Sequence, residues 1–379
     1  FGKYHDAKPI QERINGVNYL FDQGDIMSDL LKSMVKVSGN TYANVVNEGI
    51  ESDINGFVDT GSYTFNALLS GSIYGGIPDN KILAIAGESA TGKTFFTISI
   101  VQKFLIDNPD AVVLYFDSEQ AVTSEMLTSR GVDAERIAVF PVATVEDFRH
   151  QCIQIVDNYR ELPREDQKPM LIVLDSLGML STTKEMKDTA EGKDVRDMTR
   201  AQVVKSTFRT LTLKLGEAGI PLIMTNHTYK VVGAYVPMSE MGGGTGLKYA
   251  ASTIVYLTKK KVKEGTDVVG NIIHCKNHKS RLTVENKMVD ALVTYDKGLD
   301  RWYGMLELAE EAGIFTKVST RFELPDGSKM FGKQILQQPE KYFTEDVMKK
   351  IDDFCKEKFL YGTKSVDEEV VPDSTESTE

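Results

Sequence analysis

Residues 81–97 read "KILAIAGESATGKTFFT", and the eight residues from Gly87 to Thr94 fit the pattern G-x-x-x-x-G-K-[ST]. That pattern carries physical meaning when a buried strand leads into it and a helix leads out. Both conditions are met here: "KILAIA" is a short apolar run, and "TFFTISIVQKFL" (94–105) continues with apolar residues at helical spacing. The two glycines let the backbone wrap a chain of phosphates, and the N–H groups at the helix start attract the anion. Lys93 is spaced to reach the β/γ oxygens and Thr94 to ligate Mg²⁺. Gly87, Glu88, Ser89, Ala90, Thr91, Gly92, Lys93, Thr94 and Phe95 therefore read as a site for a nucleoside triphosphate.

Working outward, similar apolar runs recur at 111–119, 136–142, 170–176, 221–227 and 252–258. Helix-like segments at 92–107, 144–160 and 198–218 lie among the first five. The alternation predicts an α/β core, a mainly parallel sheet with helices on both faces. Two further runs, 271–277 and 291–298, have no helical pattern between them and predict a hairpin closing one sheet edge. Beyond Gly298 a helix, short strands around "RFELPDGSKMF" and a last helix at 344–359 suggest a small α+β domain over 299–362. Ahead of the core, 27–47 reads as a short amphipathic helix and connector, with Leu30, Leu31, Met34 and Val35 at helical spacing. Residues 1–26 precede "MSDLLKSMVKV", which looks like a natural start, and are expected to be an extension.

The 379-residue chain carries a net charge of −11, which disfavours a uniformly basic surface coating nucleic acid. The segment 363–379 holds six acidic residues from Asp367 to Glu379, and reads as a disordered acidic tail. Cys152, Cys275 and Cys355 are far apart, against a disulfide framework or zinc site. No apolar run approaches the roughly 20 residues that cross a bilayer, so a cytoplasmic protein is expected.

The polar residues that end the strands carry the chemistry. Asp175 closes "MLIVLD", where a carboxylate can hold the hydration shell of Mg²⁺ or cap a helix. Asp117 ends "YFD", and Glu119 follows it into the loop, suited either to activating a water or to a cap or ion pair. Asn226 and His227 end "PLIMTNH" at the same sheet edge, within reach of a γ-phosphate; a lone His is otherwise more often structural. The loop after them, with Tyr229, Tyr235, "MGGGTG" and Lys248, has the aromatics, glycines and cation that suit contact with a sugar-phosphate backbone and bases. The connection 182–200 holds five basic and five acidic residues and reads equally as a solvated loop or a DNA contact.

Taken in order, these pieces resemble the RecA family of homologous-recombination ATPases, and most closely its UvsX branch from T-even phages. The resemblance rests on the run 57–94, on "YFDSE", "LIVLDSLGML", "RDMTRAQ", "NHTY" and "MGGGTG", with their order preserved between about Met27 and Tyr361. It implies a RecA-like core over 56–298, an N-terminal oligomerisation segment over 27–55, and a C-terminal domain that helps capture duplex DNA under restraint from the acidic tail. It implies that Glu119 orients or deprotonates the attacking water and that His227 senses the γ-phosphate. Lys279 and Arg281 would act as cations on the ATP of a neighbouring subunit. Met198, Arg200, Arg209, Tyr229, Gly243, Gly244, Thr245 and Lys248 would contact DNA, and Met126, where the family often has an aromatic, would sit with Asp117 near the nucleotide. ATP and Mg²⁺ are the implied cofactors. The implied partners are single-stranded DNA, double-stranded DNA as second substrate, further copies in a helical filament, a recombination mediator and a single-strand-binding protein. A replicative-type helicase on the same fold and a regulatory ATPase without DNA activity are the alternatives.

Overall fold

The computed structural model of the protein describes residues 11–14, 17–20, 23–40, 43–50, 52–193, 198–230, 239–242 and 245–362. Two compact units divide between residues 53 and 54. In the first, β1 (Gln11–Ile14) pairs antiparallel with β2 (Val17–Leu20), and α1 (Gln23–Ser38) follows. The helix opens upstream of Met27 and stops before Gly39, whose φ of 64° is the left-handed turn-out that glycine tolerates. Leu30, Leu31 and Met34 are exposed along it.

The second unit begins with β3 (Phe57–Val58), α2 (Tyr63–Ser70) and β4 (Ile77–Pro78), and β3 pairs antiparallel with β4. It continues through β5 (Ile82–Gly87), α3 (Lys93–Asp107), β6 (Val112–Asp117), α4 (Ser124–Thr128), β7 (Ile137–Pro141), α5 (Val145–Glu161) and β8 (Met170–Asp175). Next come α6 (Thr183–Ala190), α7 (Arg200–Ala218), β9 (Leu222–Lys230), β10 (Ser239–Met241) and α8 (Thr245–Ala250). The sheet is completed by β11 (Thr253–Glu264), β12 (Asp267–Ser280), β13 (Met288–Thr294) and β14 (Gly298–Leu299).

Strand order in the large sheet is β14-β13-β12-β11-β5-β9-β8-β6-β7, with β10 on β9. From β11 to β7 every pairing is parallel. All six residues of β5 are buried, as a strand covered on both faces requires. Period-two alternation divides them: Leu83 and Ile85 join one apolar cluster with Phe65, Phe96 and Phe104, while Ile82, Ala84 and Ala86 join another with Phe116, Phe148 and Phe208. The first cluster also takes in residues from α9 (Met305–Glu311) and from α12 (Glu345–Phe359), among them Met305, Ile351 and Phe359. Between those helices lie β15 (Thr316–Val318), β16 (Arg321–Glu323), β17 (Lys329–Phe331), α10 (Gly332–Gln337) and α11 (Pro339–Tyr342). The turn predicted at Pro325-Asp326-Gly327 joins β16 and β17, with Gly327 at φ 79°.

An ion pair ties the start of the core to residue 301. Both oxygens of Asp59 accept from the Arg301 guanidinium at 2.6 Å, and Arg301 lies over the Tyr63 ring at 3.9 Å. Burial alone would raise the Asp59 pKa, but the hydrogen bonds from Asn66, the Gly61 N–H and Arg301 outweigh it and hold the group below its ordinary value.

Two local readings change. The connection 182–200 contains α6, started by a capping box in which the Glu185 N–H donates to Thr182 Oγ1 at 3.0 Å. The edge hairpin predicted from 271–277 and 291–298 is present as β12 against β13, yet β12 also pairs along its length with β11 in a ribbon that continues through "KKKVKEG". On β11 that outer half is largely exposed, while on β12 only Asp267 is exposed and Gly270 and Ile273 are buried, so pairing persists where the apolar pattern of β11 ends.

Phe65 is fully buried and meets Phe96 edge-on at 4.9 Å. Phe65→Ala is expected to cost about 3–5 kcal/mol through lost transfer energy and a residual cavity. A clear fall in the urea midpoint should report it; an unchanged midpoint would mean that this cluster does not support the fold.

Candidate active site

The parallel strands deliver their last residues to one edge. Gly87 of β5 is level with His227 of β9, and Asp117 of β6 with Asp175 of β8. In an open α/β sheet this carboxyl-terminal edge is where ligands bind. The phosphate loop crosses it, with Gly92 at φ 97° capping α3. A Cβ on Gly87 would lie 2.9 Å from the Leu257 carbonyl, so the close approach of β11 requires glycine there. Lys93 is buried, its ammonium donating to the carbonyls of Gly87 and Glu88 at 3.0 Å. Burial lowers its pKa, against the opposing charges of Asp175 and Glu119.

Asp175 binds the edge together. One oxygen accepts from the hydroxyls of Thr94 and Tyr115, each at 2.7 Å, and the other from Thr225. Magnesium takes oxygen donors and is commonly held by one or two protein groups plus phosphates and waters. Thr94 and Asp175 have that chemistry beside the phosphate loop, so these residues fit the ion; among the described residues there is no cluster of three or more His, Cys, Asp or Glu that suggests another metal. Burial and the neighbouring Asp175 carboxylate push the Tyr115 phenol well above its ordinary pKa, which keeps it a donor.

The next loop separates Asp117 from Glu119. Asp117 is buried and caps the loop, accepting from the N–H groups of Glu119 at 3.0 Å and Val122 at 3.1 Å. Glu119 instead faces the edge: its Oε1 accepts from Ser176 Oγ at 2.8 Å and lies 3.0 Å from His227 Nε2. Burial would raise its pKa, but the hydrogen bonds from His227 and Ser176, with the charge of Lys93, leave it lowered. His227 Nδ1 is 3.5 Å from Lys93 Nζ, so one imidazole spans the ammonium and the carboxylate. Its backbone N–H donates to Asn226 Oδ1, and Asn226 Nδ2 donates to the Gly242 carbonyl at 2.7 Å, joining this edge to the start of the glycine run.

A cleft of about 350 Å³ adjoins the loop, lined by Gly87, Glu88, Ser89, Tyr256 and Lys259 among others. Lys259 donates to the Ala90 carbonyl. Beside Gly92, Phe95 carries the Arg130 guanidinium 4.1 Å above its ring, with Asn271 and Tyr295 nearby. Met126, in α4, is half-buried against the core.

Other candidates stand elsewhere. Lys279 pairs with Ile254, three residues along β11 from the Leu257 that faces Gly87, which puts it about 10 Å from the phosphate edge. Its ammonium donates to the carbonyls of Lys248 and of Ala251, the latter at 2.8 Å, and Arg281 donates to Tyr249 at 3.0 Å, so both cations hold the end of α8. Arg200 donates to carbonyls of the turn 177–180. Met198 and Tyr229 are exposed, at 80% and 58%, and Arg209 is exposed on α7. Lys248 is half-buried in α8, which Thr245 opens; Tyr235, Gly243 and Gly244 lie outside the described residues.

Sequence reasoning missed Tyr115, Ser118, Ser176, Thr225 and Lys259. Thr225 and Tyr115 lie inside apolar runs, where a hydroxyl reads as incidental. Ser176 follows Asp175 directly and could have been found from that position alone. Four lysines within 259–263 were a visible signal that the ribbon emphasised only once its pairing was known.

The family described as RecA N-terminal domain matches residues 26–300. Among curated proteins, the chain is similar to the recombination and repair protein of Enterobacteria phage T4, 34% identical over 291 residues, which are 77% of this chain and 73% of that protein. It is also similar to the RecA protein of Mesomycoplasma hyopneumoniae (strain 7448), 25% identical over 86% of this chain and 93% of that one, and to that of Mycobacteroides abscessus, 26% identical over 83% and 87%.

The lowered Glu119 pKa has a sign that turnover can read. A carboxylate held down by donors stays anionic further into acid, so removing a donor raises its pKa and moves the acid limb of kcat to higher pH. Ser176→Ala is expected to shift that limb upward, whatever it does to the height of the plateau. A limb that stays put or moves down would deny Glu119 its assigned part.

Proposed function

The chain belongs to the RecA family and is a recombinase of the RecA type, and on that premise we propose that it hydrolyses ATP in a DNA-dependent manner to drive homologous pairing and strand exchange. Binding of ATP, binding of DNA and self-association go with the family. Our finer reading gives it single-stranded DNA as the strand on which the filament forms and duplex DNA as the second substrate. It adds Mg²⁺ at Thr94 and Asp175, and a mediator and a single-strand-binding protein as partners. Residues 27–55 would serve oligomerisation, 56–298 catalysis, and 299–362 duplex capture restrained by the tail 363–379. No helix among the described residues is long and apolar enough to cross a membrane, and we propose that it works in a host cytoplasm.

The observation that carries the reading is the contact between Glu119 and His227. Glu119 has a free flank at the sheet edge, where it would orient and take a proton from the water that attacks the γ-phosphate. Lys93 would hold the phosphate oxygens, and Mg²⁺ when bound would neutralise the charge that develops on them. His227 touches both Glu119 and Lys93 and belongs to β9, which runs through Tyr229 toward the glycine run. The phosphate would thereby bias the DNA loop, and DNA at the loop would bias Glu119. Lys279, near the end of β12, lies about 10 Å from its own phosphate edge, and Arg281 follows just beyond that strand, which suits action on the ATP of a neighbouring subunit. Met198, Arg209, Tyr229, Gly243, Gly244, Thr245 and Lys248 are our candidates for DNA contact, and the exposed Lys259, Lys260, Lys261 and Lys263 are further cations suited to phosphate.

Steady-state ATP hydrolysis with and without single-stranded DNA tests the reading. Strong stimulation is expected, and Glu119→Gln should lower the stimulated rate by about 10²–10⁴-fold while DNA binding persists. Hydrolysis indifferent to DNA would contradict it and favour a regulatory ATPase.

A further inference from the structure

Arg200 was a candidate for contact with DNA, but its guanidinium points into the protein. Nη2 donates to the carbonyls of Leu180 at 2.9 Å, Gly178 at 3.2 Å and Leu177 at 3.4 Å, and Nε to Leu180 at 3.3 Å. These carbonyls belong to one tight turn that follows Ser176. The turn touches the active site at two places. Ser176 Oγ holds Glu119 at 2.8 Å, and its backbone exchanges hydrogen bonds with Ser118 Oγ at 2.7 and 2.8 Å. Gly178 is pressed against the other partner of Glu119: a Cβ there would stand 2.9 Å from Asn226 Oδ1 and 3.2 Å from the His227 ring. Arg200 is also the first residue of α7, directly after the connection 183–199.

We propose that Arg200 is a positioning residue that couples DNA bound at Met198 and Thr199, just ahead of α7, to Glu119, by clamping the turn 177–180 that sets the Ser176 and His227 contacts. It acts through carbonyls rather than through phosphate, and the inference rests on the DNA-dependent hydrolysis proposed above. DNA bound at Met198 and Thr199 holds the start of α7; Arg200 carries that constraint to the turn, and the turn holds Glu119 and His227 in register for the water. A guanidinium suits this because Nε and Nη2 of one rigid plane both donate to the turn, which fixes its orientation as well as its distance.

The test compares wild type, Arg200→Met, Arg200→Lys and Gly178→Ala as full chains, with folding checked by circular dichroism. Two quantities are read: kcat and KM for ATP with and without single-stranded DNA, and affinity for a labelled oligonucleotide across a salt series with a non-hydrolysable ATP analogue. Arg200→Met is expected to lose about 10- to 100-fold of the DNA-stimulated kcat, the scale of a misplaced catalytic group. KM should stay within about twofold, since ground-state binding is untouched. DNA affinity and its salt slope should match wild type, Arg200→Lys should recover part of the stimulation, and Gly178→Ala, which disturbs the other end of the turn, should show the same split even if Arg200→Met does not fold. A phosphate contact would instead weaken DNA binding and flatten the salt slope by about 0.7. That result, or full stimulation in Arg200→Met or Gly178→Ala, overturns the inference alone; a wild type that DNA does not stimulate overturns the functional reading and this inference with it.

Discussion

The carboxylate of Asp175 accepts three hydroxyls, from Thr94 at the start of α3, Tyr115 on β6 and Thr225 on β9, while itself ending β8. Three strands and the phosphate-loop helix are therefore held to one point in the buried edge of the sheet. Hydrogen bonds to a charged group are among the stronger ones, and a buried carboxylate left without them would be costly. Holding the strand ends level at this point is what brings Lys93, Glu119 and His227 within contact, although they lie on three separate segments of the chain. Replacing the carboxylate would disturb the donors proposed for the metal and the register of the edge together.

From that point the polar contacts lead outward in two directions. One passes from Glu119 through His227 and Asn226 to Gly242, at the entrance of the glycine run. The other passes from Glu119 through Ser176 and its turn to Arg200, at the exit of the connection 183–199. The end of α8, which follows the glycine run, is gripped by Lys279 and Arg281, the cations proposed for the neighbouring nucleotide. Each segment proposed to meet DNA is thus one or two contacts from a group proposed to meet ATP. Such short polar paths suit a protein whose DNA affinity is set by nucleotide state, because a small shift at one end has discrete partners to exchange at the other.

Much of this was legible in the sequence. The strands were readable because a parallel strand buried on both faces is a continuous apolar run, as in 82–87 and 170–175. The site residues at strand ends were readable for a related reason: Asp175, Glu119 and His227 interrupt such runs at their carboxyl ends, where this architecture binds ligands. What escaped was whatever depended on contacts across the sheet. Thr225 and Tyr115 look like ordinary strand residues until β6, β8 and β9 lie side by side. Arg200 looked like a loop cation free for phosphate, since no local pattern announces that an arginine will find three carbonyls some twenty residues back. The capping box of α6 is written in "TTKE" (182–185), a local signal that the reading of 182–200 from its mixed charge did not use. In the β11–β12 ribbon the hydrophobic period fails although the pairing continues, so a pattern tuned to burial stops too early.

The central claim is that this edge powers recognition of one DNA molecule by another. It is tested most directly by incubating the purified chain with ATP, magnesium, circular single-stranded DNA and a linear duplex, and separating the products on a gel. The account predicts joint molecules and displaced strand when the duplex is homologous to the circle, and neither when it is not. Failure to form joint molecules by a preparation that hydrolyses ATP on the same single strand, or strand separation that ignores homology, would contradict it.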